Sequence, residues 1–446
     1  MAMAASPLLP EIIPAQASRK THSWRISQLR LCFRGGKPVK CSGNDVPGSS
    51  RVPARRPGKP LEIIGQDAEL LSKLTTLERP YVPFPLLGNR HVETIFGAYF
   101  RSLPAIRFRR EALHMADGGT VALDWPVAGK DVDLWNRELP DNAPVVILLP
   151  GLTGGSGDTY VRHMLLQARR HGWRCVVFNS RGCADSPVTS PQFYSASFTE
   201  DLRQVVKHVG VCFSESNIYA VGWSLGGNIL VRYLGQEAGN CPLSGAVSLC
   251  NPFNLVIADE DFHKGFNNIY DKALARGLRM IFKKHEHLFE GIGGEYNLPL
   301  VAKAKSVRDF DEGLTRVSFG YKSVDDYYAD ASSSRSIKYV QTSLLCIQAE
   351  NDPIAPSRGI PREDIKANPH CLLVVTPNGG HLGWVAGDEA PFGAPWTDPL
   401  VIEYLEILEN SSKERQSERK LDGIHTSVVD SKQNSSNSKK PVESLS

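Results

Sequence analysis

The sequence feature that most constrains the fold is a stretch near the middle of the chain, Asn217–Asn228. Its apolar first half predicts a buried strand, and the apolar run that continues from Ile229 predicts a helix. Between them, Gly222, Ser224 and Gly226 have the spacing G-x-S-x-G. Glycines suit a strained strand-to-helix turn because they lack the side chains that would collide there. We therefore expect Ser224 to stand clear of the sheet as a candidate nucleophile.

This spacing also occurs by chance in ordinary strand-to-helix turns, so its meaning depends on the rest of the chain. It indicates a reactive serine only if a strand precedes it, a helix follows it, and an acid and a histidine come later in that order. In that setting the first helical amide, that of Leu225, would point toward the reaction and donate to a developing oxyanion.

Strand and helix patterns alternate on both sides of this stretch, which predicts an α/β fold with a mostly parallel central sheet flanked by helices. Besides the strand before Ser224, we predict strands at 121–125, 145–149, 174–178, 245–249, 343–347 and 371–375. Predicted flanking helices cover 160–171, 198–213 and a region near 399–408. From 254 to 336 the alternation gives way to amphipathic helical patterns, which we interpret as a helical cap inserted over the candidate site.

An acid and a histidine follow the last two predicted strands. Asp352 comes just after strand 343–347, where an α/β sheet displays its working groups. An Asp-Pro turn is the alternative explanation for this residue, and Glu350 is a second candidate for the acid. His381 lies in a glycine-rich loop after strand 371–375. Other histidines of the twelve, such as His163, fit a solvated helix surface.

The chain order Ser224, Asp352, His381 is that of α/β-hydrolases. In the implied mechanism, His381 takes the proton from Ser224, Asp352 orients and stabilises the imidazolium, and the serine oxygen attacks an acyl carbonyl. Water then releases the acyl group.

A second oxyanion donor is expected in the loop that follows strand 145–149. In this loop Gly151 would permit close approach, and the amide of Leu152 would point at the substrate. The alternative is a glycine-rich turn that only links a strand to a helix.

Composition narrows the classes of partner. Residues 1–60 carry eleven Lys and Arg against two acids, so the remaining chain has a net charge of −6. A mildly acidic domain argues against nucleic acid as a partner. No apolar run reaches the roughly 18 residues needed to span a bilayer, which predicts no transmembrane helix and leaves peripheral surface contact open. The nine cysteines show no C-x-x-C pair. They therefore indicate a reducing compartment, and we expect neither a metal nor a cofactor.

The two ends of the chain differ in composition from its centre. Residues 1 to about 50 are basic, serine-rich and poor in acids, which is typical of an organellar transit peptide, and residues 38–41 resemble a chloroplast processing site. A disordered basic tail is the alternative. We treat 1–60 as leader and linker, 61–410 as one hydrolase domain, and the polar segment 411–446 as a disordered tail.

Together, these residues resemble one known family. The motifs are 85–95 (PLLGNRHVETI), 150–155 (PGLTGG), 179–182 (NSRG), 222–227 (GWSLGG) and the loops of Asp352 and His381. The chain resembles the plant embryogenesis-associated-protein-like hydrolases and is similar to the animal abhydrolase-domain lipases that act on medium-chain phospholipids and monoacylglycerols. Pro150 stands where many hydrolases carry histidine, and proline there resembles the family's own pattern. The animal relatives resemble membrane-anchored enzymes, whereas this chain carries a transit-like leader.

The resemblance implies a serine carboxylic-ester hydrolase that acts on lipid-like acyl esters, such as an acylglycerol or a medium-chain acyl lipid. Two alternatives remain open: an acyltransferase that uses the same acyl-enzyme, and a binding protein that keeps the fold without turnover. The sequence leaves the oligomeric state open.

Overall fold

A computed structural model describes residues 60–128 and 133–436, and its centre is one nine-stranded sheet. The strands are β1 (Glu62–Ile64), β2 (Arg107–His114), β3 (Thr120–Val127), β4 (Val145–Leu149), β5 (Arg174–Asn179), β6 (Ile218–Trp223), β7 (Gly245–Leu249), β8 (Leu344–Ala349) and β9 (Cys371–Thr376). Their spatial order is β1-β9-β8-β7-β6-β4-β5-β3-β2. The six strands β4 to β9 run parallel, and β1, β2 and β3 pair antiparallel at the two edges. The predicted α/β class is confirmed.

The central strands are apolar along their whole length because helices cover both faces of the sheet. Every residue of β4, β6, β7, β8 and β9 is buried. The α-helices are α1 (Ala68–Lys73), α2 (Arg90–Tyr99), α3 (Thr159–Arg170), α4 (Glu200–Cys212), α5 (Leu225–Glu237), α6 (Leu255–Phe262), α7 (Asn267–His285), α8 (Leu298–Lys303), α9 (Val307–Phe310), α10 (Arg316–Ser318), α11 (Val324–Ala331), α12 (Arg362–Ala367) and α13 (Thr397–Ser436). Helices α3 and α13 pack into one core cluster, and α4, α5 and α12 pack into the other.

A helical cap separates β7 from β8. Helices α6 to α11 lie in this insertion, which agrees with the predicted cap at 254–336. The cap has its own small core, built around Leu278, Phe282, Phe289 and Phe310. Asn228 of α5 ties it to the sheet domain: its amide nitrogen donates to the carbonyl oxygens of Ala196 and Ala331 at 3.1 and 2.9 Å.

The edge strands β1 and β2 and the helices α1, α2 and α12 were not predicted from the sequence. Strand β2 is polar because it lies at the edge of the sheet, with exposed and half-buried residues alternating along it, so it lacks the apolar run of a core strand. The short strand β1 is similarly half exposed. Helix α2 begins inside the family motif 85–95 and continues to Tyr99, and only the resemblance marked this region.

The prediction that residues 411–446 form a disordered tail was wrong in part. The last helix runs from Thr397 to Ser436, through much of the segment predicted to be disordered. None of the described side chains after Glu409 is buried, and an ion pair of 3.1 Å joins Lys413 to Glu409 one turn earlier. Helical hydrogen bonds are local, so a polar sequence can form a helix without burial.

The prediction that His163 lies on a solvated helix surface was wrong. His163 is buried, with Nε2 at 3.0 Å from the carbonyl oxygen of Ser102.

The leader, a membrane-spanning helix, paired cysteines and a metal site were also considered in the sequence. The predicted leader and linker, residues 1–60, lie outside the described residues apart from Pro60. None of the helices described is long and apolar enough to cross a membrane. The seven cysteines in the described part of the chain are all unpaired, and those same ranges gather no group of three metal-ligating side chains.

Candidate active site

Ser224 lies in a sharp turn between β6 and α5. Its backbone has φ +51° and ψ −118°, a conformation that L-residues rarely adopt. The flanking glycines permit the close packing of this turn: a Cβ at Gly222 would lie 2.6 Å from the carbonyl oxygen of Gly226, and one at Gly226 would lie 2.2 Å from that of Leu149. Side chains at these two positions would therefore collide with the turn, as the G-x-S-x-G spacing predicted.

The structure brings Ser224, His381 and Asp352 into one hydrogen-bonded chain. The distance from Ser224 Oγ to His381 Nε2 is 3.0 Å, and that from His381 Nδ1 to Asp352 Oδ2 is 2.8 Å. His381 and Asp352 are both buried. Asp352 Oδ1 also accepts the amides of Ile354 and Ala355, at 2.7 and 2.8 Å. These bonds orient the carboxylate toward the imidazole.

Glu350, the second candidate for the acid, points elsewhere. Its side chain is 56% exposed and forms an ion pair with Arg362 at 3.1 Å, while Oε2 also accepts the hydroxyl of Ser357. Of the two carboxylates after β8, Asp352 alone contacts His381.

The loop after β4 passes close to Ser224. A Cβ at Gly151 would lie 3.2 Å from Cβ of Ser224, so only a glycine fits without displacement. The amide of Gly151 donates to the hydroxyl of Tyr160 at 3.0 Å, and that hydroxyl donates to Asp158 at 3.0 Å. The amide of Thr153 donates to the hydroxyl of Tyr194 at 2.9 Å. The amides on either side of Leu152 are thus occupied by tyrosine hydroxyls.

Leu152 and Leu225 both line the same cavity as Ser224 and His381. Leu225 is the first residue of α5, where a backbone N–H has no partner inside the helix. The residues of both predicted oxyanion donors therefore line the cavity into which the serine opens. The sequence reasoning missed Tyr160, Asp158 and Tyr194, because nothing in their spacing indicates that they hold this loop.

Helix α2 holds the loop that carries His381. The amide of His381 donates to Thr94 Oγ1 at 2.9 Å, and the amide of Gly379 donates to Glu93 Oε2 at 2.8 Å. Arg101, just beyond the helix, donates to the carbonyl oxygens of Leu382 and Gly383. Three polar side chains near 93–101 thus fix the backbone on both sides of the histidine.

Glu93 is a buried carboxyl with unusual protonation. Burial raises its pKa to about 7, and hydrogen bonds from Tyr81 and Gly379 together with the charge of Arg101 partly offset this shift. Burial also lowers the pKa of Arg101 to about 10. This cluster lies directly behind the loop of the histidine, and sequence reasoning did not single out any of its members for a role.

The serine opens into a cavity of about 450 Å³ between the sheet domain and the cap. Most of its lining is apolar. The cap contributes Leu255, Leu274, Leu278, Ile281 and Phe310, and α2 contributes Ile95, Ala98 and Tyr99. Such a cavity suits an apolar chain attached to a polar reacting group.

Comparison with known proteins places this geometry in context. Residues 144–385, which contain Ser224, Asp352 and His381, match the family model described as alpha/beta hydrolase fold. Embryogenesis-associated protein EMB8 of Picea glauca is 72% identical over 95% of this chain and 94% of its own length. Human phospholipase ABHD3 is 36% identical over 69% of this chain and 74% of its own. Monoacylglycerol lipase of Saccharomyces cerevisiae is 30% identical over 73% of this chain and 80% of its own.

Proposed function

The chain belongs to the α/β-hydrolase family, as the resemblance predicted, and from this premise we propose that it is a serine carboxylic-ester hydrolase acting on lipid-like acyl esters. The observation that carries the proposal is the hydrogen-bonded chain from Ser224 through His381 to Asp352, which opens onto an apolar cavity.

In the proposed reaction, Ser224 Oγ attacks the acyl carbonyl while His381 Nε2 accepts the serine proton. Asp352 accepts the Nδ1–H of the imidazole, which keeps Nε2 free to act as a base and stabilises the imidazolium as it forms. His381 then donates the proton to the leaving alcohol, and an acyl-enzyme remains on Ser224. A water molecule, deprotonated by His381, hydrolyses this ester and releases the acid.

The amides of Leu152 and Leu225 would donate to the oxyanion of each tetrahedral intermediate. Tyr160 supports this role because its hydroxyl, in turn bonded to Asp158, holds the loop at Gly151. Donors that are already oriented cost no reorganisation when charge develops on the carbonyl oxygen.

Two observations support a lipid-like substrate. The cap side of the cavity is lined by leucine, isoleucine and phenylalanine, which suit an acyl chain. Two relatives carry the names phospholipase and monoacylglycerol lipase. An acylglycerol or a medium-chain acyl lipid fits both observations.

A fluorophosphonate probe tests the proposal, because it reacts covalently with an activated serine. We expect the wild-type chain to be labelled and Ser224→Ala to remain unlabelled, with Ser186→Ala, another buried serine in the chain, labelled like the wild type. Absence of labelling in well-folded wild-type protein would instead favour a binding protein that keeps the fold.

We also propose a plastid location, which the basic, acid-poor composition of residues 1–60 supports. Import of the full chain into isolated chloroplasts, with loss of a leader-sized segment, is the expected result. Exclusion of the chain from chloroplasts would overturn this part of the proposal.

A further inference from the structure

Helix α7 of the cap has one face toward the cavity and another toward solvent. Tyr270, Leu274, Leu278 and Ile281 line the cavity. The solvent face carries Ile269, Lys272, Arg276, Met280 and Lys283, which recur at intervals of three and four residues and therefore lie in one stripe. Ile269 is 53% exposed and Met280 is 59% exposed. This stripe thus contains both large apolar side chains and cations.

The five residues of the stripe include three basic residues and no acidic residue. Asp271, the one acid of α7, is buried and accepts the amide of Val307 at 2.7 Å. Within the described part of the chain, neither Lys272 nor Lys283 forms an ion pair with a carboxylate. A helix face that combines exposed apolar side chains with lysines is complementary to an anionic lipid surface.

Helix α7 reaches the mouth of the cavity, because its Ala273 both lines the cavity and is exposed. Tyr99 of α2 lines the cavity and is nevertheless 77% exposed, so it marks the opening. Phe100, the next residue, and Phe392 are also exposed. Both pack against Phe96, with 5.7 and 5.6 Å between ring centroids. Phe266, which precedes α7, packs against His91 of α2 with 4.5 Å between ring centroids. Both α2 and α7 therefore line the cavity, and both carry or adjoin exposed aromatic or aliphatic side chains.

We propose that the stripe of α7, together with the aromatic rim at Tyr99 and Phe100, docks the enzyme on an anionic lipid surface with the mouth of its cavity facing the lipid. The inference rests on the proposed function in one respect: docking would let the acyl chain of a lipid substrate pass from the surface into the cavity. The binding of α7 to the surface does not require catalysis. Apolar side chains enter the interface, and the lysines contact the anionic headgroups.

The first test measures affinity for vesicles of phosphatidylcholine alone and of equal parts phosphatidylcholine and phosphatidylglycerol. We expect tighter binding of the full chain to the anionic vesicles. Lys272→Gln with Lys283→Gln should weaken that binding about 30-fold, given the attraction of each lysine to an anionic surface. Ile269→Ser with Met280→Ser should weaken binding about tenfold or more, because two apolar side chains no longer enter the interface.

Matched controls lie on helices that do not line the cavity. Lys207→Gln with Lys366→Gln makes the same change of charge on α4 and α12, and Val211→Ser removes an exposed apolar side chain from α4. These controls should bind vesicles like the wild type. Equal weakening by test and control variants would overturn the proposal.

Residues 1–60 carry nine excess positive charges and can attract anionic vesicles by themselves. A second measurement therefore follows the contact of α7 itself rather than the total binding. Hydrogen–deuterium exchange of the vesicle-bound full chain should slow in residues 266–283 and stay unchanged in 200–212. Unchanged exchange at 266–283 would overturn the proposal. So would protection of that segment in a dimer without vesicles, since the face would then bind a second copy of the chain.

Hydrolysis of the water-soluble ester p-nitrophenyl butyrate separates this inference from the proposed function. The α7 variants should hydrolyse it at the wild-type rate, because none of their changed residues lines the cavity. Ester hydrolysis without protection of α7 would reject the docking surface alone. Protection of α7 without hydrolysis of any ester would reject the enzymatic function alone.

Discussion

Two carboxylates follow β8 within a few residues, and their surroundings separate them. Asp352 is buried, bonded to His381 and held by two backbone amides. Glu350 is largely exposed and paired with Arg362. Both come after the same strand, so only the direction of their side chains distinguishes the carboxylate that contacts His381 from the one in a surface ion pair.

Substitution of each carboxylate tests this difference. Asp352→Asn should lower kcat/KM for a p-nitrophenyl ester by about 10³-fold or more, because an amide neither holds the required tautomer nor stabilises the imidazolium. Glu350→Gln, the matched control, should stay within about twofold of the wild type, since an exposed ion pair contributes little. Steady-state kinetics would contradict the assignment if Glu350→Gln were the more damaging change.

Helix α2 acts as a support for the loop of the histidine. Its Thr94 and Glu93 accept the amides of His381 and Gly379, residues that are more than 280 positions away in the chain. Asn89 caps the helix by accepting the amide of His91 at 2.9 Å, which fixes where the helix begins and hence where these side chains point. The family motif 85–95 therefore has a structural explanation in the placement of His381.

The burial of Glu93 makes the stability of the protein depend on pH. Its pKa is raised from its ordinary value of 4.5 to about 7, so the folded state binds the proton more tightly than the unfolded chain does. The resulting stability is fully present below about pH 4.5 and is lost as the pH rises through about 7. From the size of the shift, this loss is about 3 kcal/mol. The groups around this carboxyl are Tyr81 and Arg101, with Asp398 beyond the arginine.

Glu93→Gln should remove this dependence. Between pH 5 and pH 8, the free energy of unfolding of the wild type should fall by about 2–3 kcal/mol more than that of the variant. Urea unfolding at both pH values measures the difference. The exposed residue Glu78 supplies the control, since Glu78→Gln should follow the wild type. Parallel pH profiles for wild type and Glu93→Gln would contradict the expectation.

The sheet domain and the cap divide the chemistry between them. The sheet supplies Ser224, Asp352, His381 and the loop at Leu152, all at the carboxyl ends of parallel strands. The cap supplies most of the apolar wall of the cavity. In the proposed function, the cap would therefore select the acyl chain that reaches the serine, while the sheet would supply the reacting groups.

A bulkier residue in the cap should shift the preference for chain length. Leu274→Trp on α7 fills part of the cavity, so kcat/KM for long p-nitrophenyl esters should fall relative to butyrate. Each methylene that no longer fits should cost about fourfold, from about 0.8 kcal/mol per buried methylene. Val211→Trp on α4, outside the cavity, should keep the wild-type profile. A parallel loss for all chain lengths would contradict the role of the cap.

The sequence by itself determined the class of the fold, the core strands, the position of the cap and the order of Ser224, Asp352 and His381. These follow from signals that are local in the chain: apolar runs, glycine spacing, and residues placed just after a strand. The extent of the last helix was missed because helix formation in a polar segment leaves no such pattern, as the ion pair of Lys413 with Glu409 illustrates.

Only the tertiary structure decided which residues surround these groups. It selected Asp352 over Glu350, buried Glu93 behind the loop of His381, and placed Tyr160 under the amide of Gly151. It also placed the apolar and basic stripe on the solvent face of α7, a helix that lines the cavity with another face. Contacts of this kind join residues far apart in the chain, so their burial and charge arise from packing and have no period or spacing in the sequence.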